Sequence, residues 1–186
     1  SLNNPHKKLK FVHVAGTNGK GSVCSMIASA LTESGYKTGL FTSPHLLDFR
    51  ERIRIDGNKI SKENVIDFCN KAQELKCKPS FFEITFLIAV LSCSKAKMQI
   101  MILETGLGGR LDATRSADVI GCLVTSVTME HREILGDTLE EIAKEKAKLA
   151  KKQAIKAYLE ANKIKNEYVL DEIESSDAED LEEFSE

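Results

Sequence analysis

The stretch from Phe11 to Ser22, "FVHVAGTNGKGS", most constrains what this chain can fold into. A short β-branched run leads into glycines that flank an asparagine and a lysine. Glycine is costly inside regular structure, so it is used where φ is positive or where the backbone approaches something closely. Apolar residues then recur at helical spacing until Gly35: Val23, Met26, Ile27, Ala30 and Leu31. The pattern predicts a strand, a glycine loop that approaches a ligand, and a helix.

Strands and helices are predicted to alternate along the rest of the chain. Residues 62–77 and 81–97 have helical patterns, and a helix is predicted to start near Asp137 and to run to about Asn162. The short strands are "YKTGLFTS", "MQIMILETG" and "DVIGCLVTSV". The last two are continuous apolar runs, which are typical of parallel strands covered on both faces. This alternation predicts an α/β fold with a mostly parallel sheet wrapped by helices.

A small hairpin is predicted in "ERIRIDGNKIS". Ile53 and Ile55 alternate with arginines before an Asp56-Gly57 turn, which is a strong short-range hairpin signal. We expect this hairpin to project from the body as a ribbon.

Composition narrows the class of protein. The five cysteines are an odd number without a C-x-x-C pair, which favours reduced thiols in a cytoplasmic protein; for a eukaryotic chain, a mitochondrial location is the alternative. No apolar run approaches the ~20 residues that a membrane span needs. The first ten residues lack an apolar h-region and predict no signal peptide.

Charge is unevenly distributed along the chain. Residues 171–186 contain nine acidic residues and no Lys or Arg, so the first 170 residues are net basic. A basic body suits anionic ligands such as nucleotides or polycarboxylates. Nucleic acid is a weaker alternative, because no basic run is interleaved with aromatic residues. The acidic tail is predicted to be a solvated, disordered extension.

Polar residues follow four of the predicted strands. The glycine loop follows the first strand, Ser43 the second, Glu104 ends "QIMILE", and Glu130-His131 lies just beyond "GCLVTS". Ligands of open parallel sheets bind outside the carboxyl ends of the strands. We therefore expect these groups to converge on one rim.

The loop is a candidate phosphate site. Its N–H groups would bind an anion at a helix N-terminus, Lys20 could reach outer phosphates and Ser22 could serve a magnesium ion. The match to G-x-x-x-x-G-K-[ST] is imperfect, since Val14 replaces the first glycine and Gly21 follows the lysine. A glycine-rich turn with an exposed lysine is the alternative.

Ser43, Glu104 and His131 are the candidate metal ligands. A hydroxyl, a carboxylate and an imidazole together suit Mg²⁺ or Mn²⁺, with water and phosphate oxygens at the remaining positions. Taken singly, each residue has an ordinary structural alternative: a turn residue, a capping carboxylate and a surface histidine.

Four ordered motifs are similar to those of a known family: "HVAGTNGKGS", "LFTSPHLLDFRERIRIDGNKIS", "LETGLGGRLDAT" and "EILGDTLEEIAKEKA". They resemble the N-terminal ATPase domain of the folylpolyglutamate synthase and dihydrofolate synthase family, within the Mur ligase superfamily. The likeness covers about residues 5–147. It implies a P-loop three-layer fold and a cytoplasmic, monomeric, ATP- and Mg²⁺-dependent amide ligase that joins L-glutamate to a folate or pteroate carboxylate through an acyl phosphate.

The resemblance also implies roles for individual residues. The phosphates would be held by Gly16, Thr17, Asn18, Gly19, Lys20, Gly21 and Ser22, with Lys20 as the cationic clamp. Ser43, Glu104 and His131 match the family's magnesium ligands. Lys146 matches a lysine that relatives carry as a carbamate and that ligates metal; without the family it would be one more charged residue on a solvated helix face. Lys20, His131 and Lys146 are thus the catalytic candidates.

The resemblance sets the expected domain organisation. A partial Mur-ligase-like ATP-binding domain is expected over residues 1–150, a helix and short extended segment over 151–170, and the acidic tail over 171–186. Family members are more than twice this length, so we expect only the ATPase part here.

Three departures from the family favour an alternative function. Relatives usually have Asp-His at 130–131, Asn at Arg115 and Gly-Ile at 148–149, whereas this chain has Glu130, Arg115 and Lys148-Leu149. A longer carboxylate and a guanidinium would crowd the metal rim. The alternative is a catalytically inactive nucleotide-binding or interaction module derived from the family. An unrelated P-loop kinase is disfavoured, because "LETGLGGRLDAT" has no place in that pattern.

Overall fold

The computed structural model describes residues 5–73, 78–106, 112–117, 119–129, 133 and 136–147. Within them are six strands, four α-helices and three short 3-10 helices. The strands are β1 Lys10–Ala15, β2 Thr38–Phe41, β3 Ile53–Ile55, β4 Asn58–Lys59, β5 Ile100–Glu104 and β6 Val119–Val124. The α-helices are α1 Lys20–Glu33, α2 Lys62–Gln73, α3 Phe81–Lys95 and α4 Leu139–Ala147, and the 3-10 helices are Pro5–Lys8, Phe49–Arg52 and Ala113–Ser116.

The strands form one sheet in the order β4-β3-β2-β5-β1-β6. The neighbouring strands β2, β5, β1 and β6 are parallel to one another. β3 pairs antiparallel with β2, and β4 pairs antiparallel with β3. Val14 of β1 pairs with Glu104 of β5, and Phe41 of β2 pairs with Leu103. The carboxyl ends of β1, β2 and β5 therefore lie at one edge of the sheet.

Helices cover both faces of this sheet and make three layers. On one face α1 packs over the central strands around Val14, Cys24, Ala28, Leu40 and Ile102. On the other face α2 and α3 cover a larger core whose fully buried members include Phe11, Phe41, Ile53, Met101 and Leu103. Since successive strand residues face opposite sides, Val14 and Phe11 belong to different cores. The predicted α/β class with a mostly parallel, helix-wrapped sheet is confirmed.

The helix boundaries follow local capping signals. Ser80 and Glu83 form a capping box at the start of α3, with Ser80 N–H donating to Glu83 Oε2 at 2.6 Å. Gly35, at φ 85°, follows the end of α1 as expected of a glycine stop. α3 ends at Lys95, two residues before the predicted end, because Lys97 has a positive φ of 56°.

Two predictions about exposure are wrong. The hairpin of β3 and β4 does not project, because β3 pairs with β2 and extends the sheet by two strands. β6 lies at the edge of the sheet that the described strands form, and its Ile120 is 61% exposed, so the expected cover on both faces is not found there. An apolar run thus identified the strand correctly and its position in the sheet incorrectly.

Several sequence-based predictions lie outside the described residues. They are the continuation of α2 through 74–77, the helix beyond Ala147, the segment 151–170 and the acidic tail 171–186. Among the described residues, no helix is long and apolar enough to cross a membrane. Of the described cysteines, Cys24 and Cys93 are buried free thiols, whereas Cys69 and Cys122 are free thiols that are only partly buried. Cys77 lies outside the described residues.

Close packing of β2 against α3 leads to a stability prediction. A Cβ at Gly39 would lie 2.5 Å from Cys93 Sγ, so Gly39→Ala should lower the free energy of unfolding by about 1–3 kcal/mol, as overpacked cores do. Gly121→Ala on β6 is the matched control, because nothing lies within 4 Å of its added Cβ. Urea unfolding measures both variants, and equal losses would contradict the packing described here.

Candidate functional site

The glycine loop lies between β1 and α1, at the carboxyl edge of the sheet. Gly16 has φ 132° and Gly19 has φ 81°, a range that L side chains rarely adopt. At Gly16 the space is also restricted, because an added Cβ would collide with Thr125 Oγ1. At Gly19 nothing lies within 4 Å of such a Cβ, so only its φ requires glycine. The two glycines therefore serve different needs, close approach at residue 16 and turn geometry at residue 19.

The segment that follows β6 holds this loop in place. Thr17 N–H donates to Ser126 O at 2.8 Å, and Asn18 N–H donates to Ser126 Oγ at 3.1 Å. In return, Thr125 Oγ1 donates to Asn18 O at 2.7 Å, and Thr128 N–H donates to Thr17 Oγ1 at 3.0 Å. Residues 125–128 were not among the sequence candidates. The available signal was a run of hydroxyl residues directly after a parallel strand.

Lys20 begins α1 and folds back over the loop. Its Nζ donates to Gly16 O at 2.8 Å and to Thr17 O at 3.0 Å. The first hydrogen bond within the helix joins Val23 N–H to Gly19 O at 3.0 Å, so the N–H groups of the first turn have no acceptor inside the helix. A cation at the positive end of a helix dipole is electrostatically unfavourable alone. Loop, helix end and lysine together form a site suited to an anion.

Glu104 is the buried carboxylate next to that helix end. It is 5% exposed, and its Oε2 accepts a hydrogen bond from Ser43 N–H at 2.9 Å. Burial raises the pKa of Glu104, while the Ser43 N–H and the positive charges of Lys20 and Arg52 oppose the rise. A cation bound beside this carboxylate would compensate its desolvation.

Gly21 departs from the common phosphate-loop pattern for a physical reason. A Cβ at residue 21 would lie 3.3 Å from Glu104 Oε2, which is a tight approach. A serine or threonine there would therefore crowd the carboxylate. The absence of a side chain lets α1 start directly against the end of β5.

The structure describes two of the three candidate metal ligands, and they are neighbours. Ser43 and Glu104 follow the paired strands β2 and β5, and the Ser43 N–H bond joins them. His131 and Glu130 lie outside the described residues, as does the side chain of Lys146, whose backbone lies in α4. Across the described residues, no three His, Cys, Asp or Glu side chains are grouped as a metal site. A carboxylate and a hydroxyl nevertheless fit Mg²⁺, which takes few protein oxygens and keeps water or phosphate oxygens.

A buried guanidinium near this rim was missed by the sequence analysis. Arg52 is 9% exposed, and its Nε donates to His45 Nδ1 at 2.7 Å. Its Cζ lies 5.4 Å from the centroid of the Phe81 ring, within cation–π range. Burial lowers the pKa of Arg52, and the negative charge of Glu104 opposes that shift. In sequence, Arg52 is one of three arginines in "FRERIR", so no pattern separates it from the partly buried Arg50 and Arg54.

Comparison with known proteins gives one family. Residues 14–185 match the Mur ligase middle domain. The chain is 43% identical over 156 residues to a probable bifunctional folylpolyglutamate synthase/dihydropteroate synthase of Haloferax volcanii, covering 80% of this chain and 19% of that protein. It is 42% identical over 159 residues to the dihydrofolate synthase/folylpolyglutamate synthase of Bacillus subtilis, covering 81% of this chain and 37% of that protein.

Solved structures give the same result. E. coli FolC in complex with DHPP and ADP superposes with a TM-score of 0.72 at 36% identity, over 78% of this chain and 37% of that chain. An FPGS-AMPPCP-folate complex superposes with a TM-score of 0.75 at 34% identity, over 81% of this chain and 39% of that chain. The chain thus spans less than two-fifths of the length of these proteins. Because the domain match covers most of the sequence and the fold agrees with it, the chain belongs to the Mur ligase middle-domain family.

Proposed function

We propose that this chain binds Mg-ATP and is the nucleotide-binding part of a ligase that adds L-glutamate to a folate or pteroate carboxylate. The observation that carries the proposal is the position of the glycine loop and Lys20 beside Glu104, at the carboxyl ends of paired parallel strands. That placement brings an anion site and an acidic group together, as Mg-triphosphate requires. The folate-type ligases among the relatives, and the ADP and AMPPCP in related structures, support it.

The triphosphate would lie against the loop Gly16 to Ser22. The Gly21 N–H bonds to Glu104, and the other first-turn N–H groups of α1 would donate to phosphate oxygens. Lys20 Nζ would exchange its carbonyl acceptors for phosphate oxygens. A phosphate oxygen is the stronger acceptor, because it is charged. Thr17 and Asn18 would keep the loop rigid, because their N–H groups are already bonded to Ser126.

Magnesium would be held by Ser43, Glu104 and His131, with Lys146 contributing as a carbamate. When bound, the ion supplies charge neutralisation of the phosphate oxygens. Glu104 fits this role because burial raises its pKa even with Lys20 and Arg52 nearby, so a bound cation would further stabilise its charged form. The N–H bonds from Ser43 and Gly21 would orient the carboxylate beside the metal.

The ligation would proceed in two steps. An oxygen of the substrate carboxylate attacks the γ-phosphorus, the bond to the β,γ-bridging oxygen breaks, and ADP leaves. The amino group of glutamate then attacks the acyl phosphate carbon, an amide forms, inorganic phosphate leaves, and the amine loses a proton. Lys20 and the loop would position the phosphoryl group and stabilise its charge, and catalysis would come from that positioning and electrostatics.

An aromatic substrate fits the surface beside the rim. Leu46 and Leu47 are 89% and 94% exposed, and Phe81 is 60% exposed although its ring contacts Arg52. Exposed apolar side chains next to a polar rim are a common feature of binding sites. A planar ring system could lie on this surface with its carboxylate directed to the rim.

The alternative function is nucleotide binding without ligation. It is favoured by the residues at which this chain departs from the family pattern, Arg115, Glu130 and Lys148. Incubation with Mg-ATP, dihydropteroate or tetrahydrofolate, and labelled glutamate separates the two. Label in a pterin product supports the ligase, and nucleotide binding without incorporation supports the alternative.

The first prediction of this function concerns Lys20. Lys20→Ala removes a charge-assisted hydrogen bond to the triphosphate, which is worth about 1.5–3 kcal/mol, so Mg-ATP affinity should fall roughly tenfold to a hundredfold. Calorimetric titration measures this. Lys10→Ala, an exposed lysine at the opposite end of β1, controls for the loss of one positive charge. Equal affinities of wild type and the Lys20 variant would remove this residue from the site.

The second prediction concerns Glu104. Magnesium should raise ATP affinity, compared with the affinity measured in a chelator, by less in Glu104→Gln than in wild type. The melting temperature of the ligand-free variant should equal or exceed that of wild type. Glutamine keeps an acceptor for Ser43 N–H and removes a buried charge. Because the pKa of Glu104 is raised in the folded state, the protonated carboxyl stabilises the fold. That stabilisation is lost as the pH rises through the folded-state pKa. Any gain in stability should therefore be seen near neutral pH and vanish below about pH 4.

Glu33→Gln at the exposed end of α1 is the control for Glu104. An unchanged magnesium enhancement in the Glu104 variant would exclude this carboxylate as a ligand. A clear loss of ligand-free stability would instead assign it a structural role.

A further inference from the structure

The backbone of Arg52, as well as its side chain, lies at the carboxyl edge of the sheet, where β2 ends. Thr42 N–H donates to Arg52 O at 2.9 Å, and the next residue, Ser43, donates its N–H to Glu104. Arg52 is therefore tied to the strand end that carries two candidate metal ligands. This position depends on the antiparallel pairing of β2 with β3, which starts at Ile53.

The guanidinium is held on two sides. His45 Nδ1 accepts from Nε at 2.7 Å, and the ring of Phe81 lies under Cζ at 5.4 Å. Since Nδ1 is the acceptor, His45 carries its ring proton on Nε2 in this arrangement. A second ring contact, between Phe49 and Phe81 at 6.1 Å, supports the Phe81 face. The orientation of Arg52 is thus set before any ligand binds.

The negative charge of Glu104 acts on Arg52, but the two residues form no ion pair in the described part of the chain. The ion pairs found there join Arg50 and Lys59 to Asp48 and Glu51, and none includes Arg52. Its hydrogen bond to His45 is to a neutral ring and uses Nε alone. Among the described residues no hydrogen bond from the two terminal nitrogens is found, so they can take a further acceptor. A buried guanidinium without a carboxylate partner is costly, and planar anions of carboxylate shape match its fork.

We propose that Arg52 binds the reacting carboxylate of the acceptor substrate at the rim and that His45 is its positioning residue. This inference rests on the proposed function, because that function supplies an aromatic carboxylic acid as the ligand. The ring system of such a substrate would lie on the exposed part of Phe81 and on Leu46 and Leu47. Its carboxylate would pair with the terminal nitrogens of Arg52, next to Ser43 and Glu104.

The pairing would do two things for the reaction. It would fix the attacking oxygen on the side of the rim where Lys20 and the loop hold the phosphate, and orientation of that kind lowers a barrier. It would also offset repulsion between the substrate carboxylate and Glu104, which lie near the same rim. The substrate must therefore be anionic to bind well, and a neutral analogue should lose this contact.

The test compares pteroate with its carboxamide, which differ in the charged group, on the full 186-residue chain. Affinities are measured by ligand-observed NMR with and without Mg-AMPPCP. Wild type should bind the carboxylate about tenfold to a hundredfold more tightly than the carboxamide. Arg52→Gln should bind the two about equally, and Arg52→Lys, which keeps the charge without the fork, should have an intermediate preference.

Two further variants complete the test. Arg54→Gln removes a nearby guanidinium that is bonded to Gly57 O and should keep the wild-type preference. His45→Ala should reduce the preference and His45→Gln, with an amide acceptor, should restore part of it. Thermal unfolding checks that each variant is folded. The assignment would be overturned if wild type bound pteroate no more tightly than its carboxamide. It would also be overturned if Arg52→Lys and Arg52→Gln were both folded and kept the full wild-type preference for the carboxylate.

Nucleotide binding separates this inference from the proposed function. If Mg-AMPPCP binds and the carboxylate preference does not depend on Arg52, the inference fails and the function stands. If Mg-AMPPCP does not bind wild type, the proposed function fails. The titration of pteroate without nucleotide still decides whether Arg52 binds a carboxylate.

Discussion

Parallel pairing of β1 with β5 and of β5 with β2 determines where the glycine loop, Ser43 and Glu104 lie. The register places Val14 opposite Glu104 and Phe41 opposite Leu103, so the three strands end at the same level. The glycine loop, Ser43 and Glu104 are then neighbours without any long-range folding of loops. The pairing of β1 with β6 adds the segment 125–128, which fixes the loop from its other side.

Local sequence patterns predicted much of this fold and part of the candidate site. The β-branched run before Gly16 and the helical spacing after Lys20 identify β1, the loop and α1, because those patterns depend on neighbours in sequence. The hairpin at Asp56-Gly57 and the helices α2 and α3 were predicted for the same reason. The role of Lys20 came from the glycine-loop pattern, and those of Ser43 and Glu104 from their position at strand ends and from the family resemblance. All three roles stay predictions.

Other features depend on contacts between distant segments and left no local signal. The bond from Thr17 N–H to Ser126 O joins residues far apart in sequence. Arg52 is buried by Phe81 and bonded to His45, yet its neighbours in sequence, Arg50 and Arg54, are not. The exposure of Ile120 follows from the place of β6 at the sheet edge. These contacts and exposures depend on the order of strands in the sheet and on side-chain packing. The spacing of residues along the sequence predicts neither.

The rim combines three charged groups that compensate one another only in part: Lys20 at a helix N-terminus, Glu104 with a pKa that is raised despite the nearby Lys20 and Arg52, and Arg52 without an ion pair in the described part of the chain. A crystal structure of the chain with Mg-AMPPCP tests most directly whether a metal–triphosphate completes this compensation. The account predicts Lys20 Nζ within about 3 Å of a phosphate oxygen and the metal on the Glu104 carboxylate. A triphosphate bound elsewhere, or Lys20 still bonded to both Gly16 O and Thr17 O with the metal away from Glu104, would contradict it.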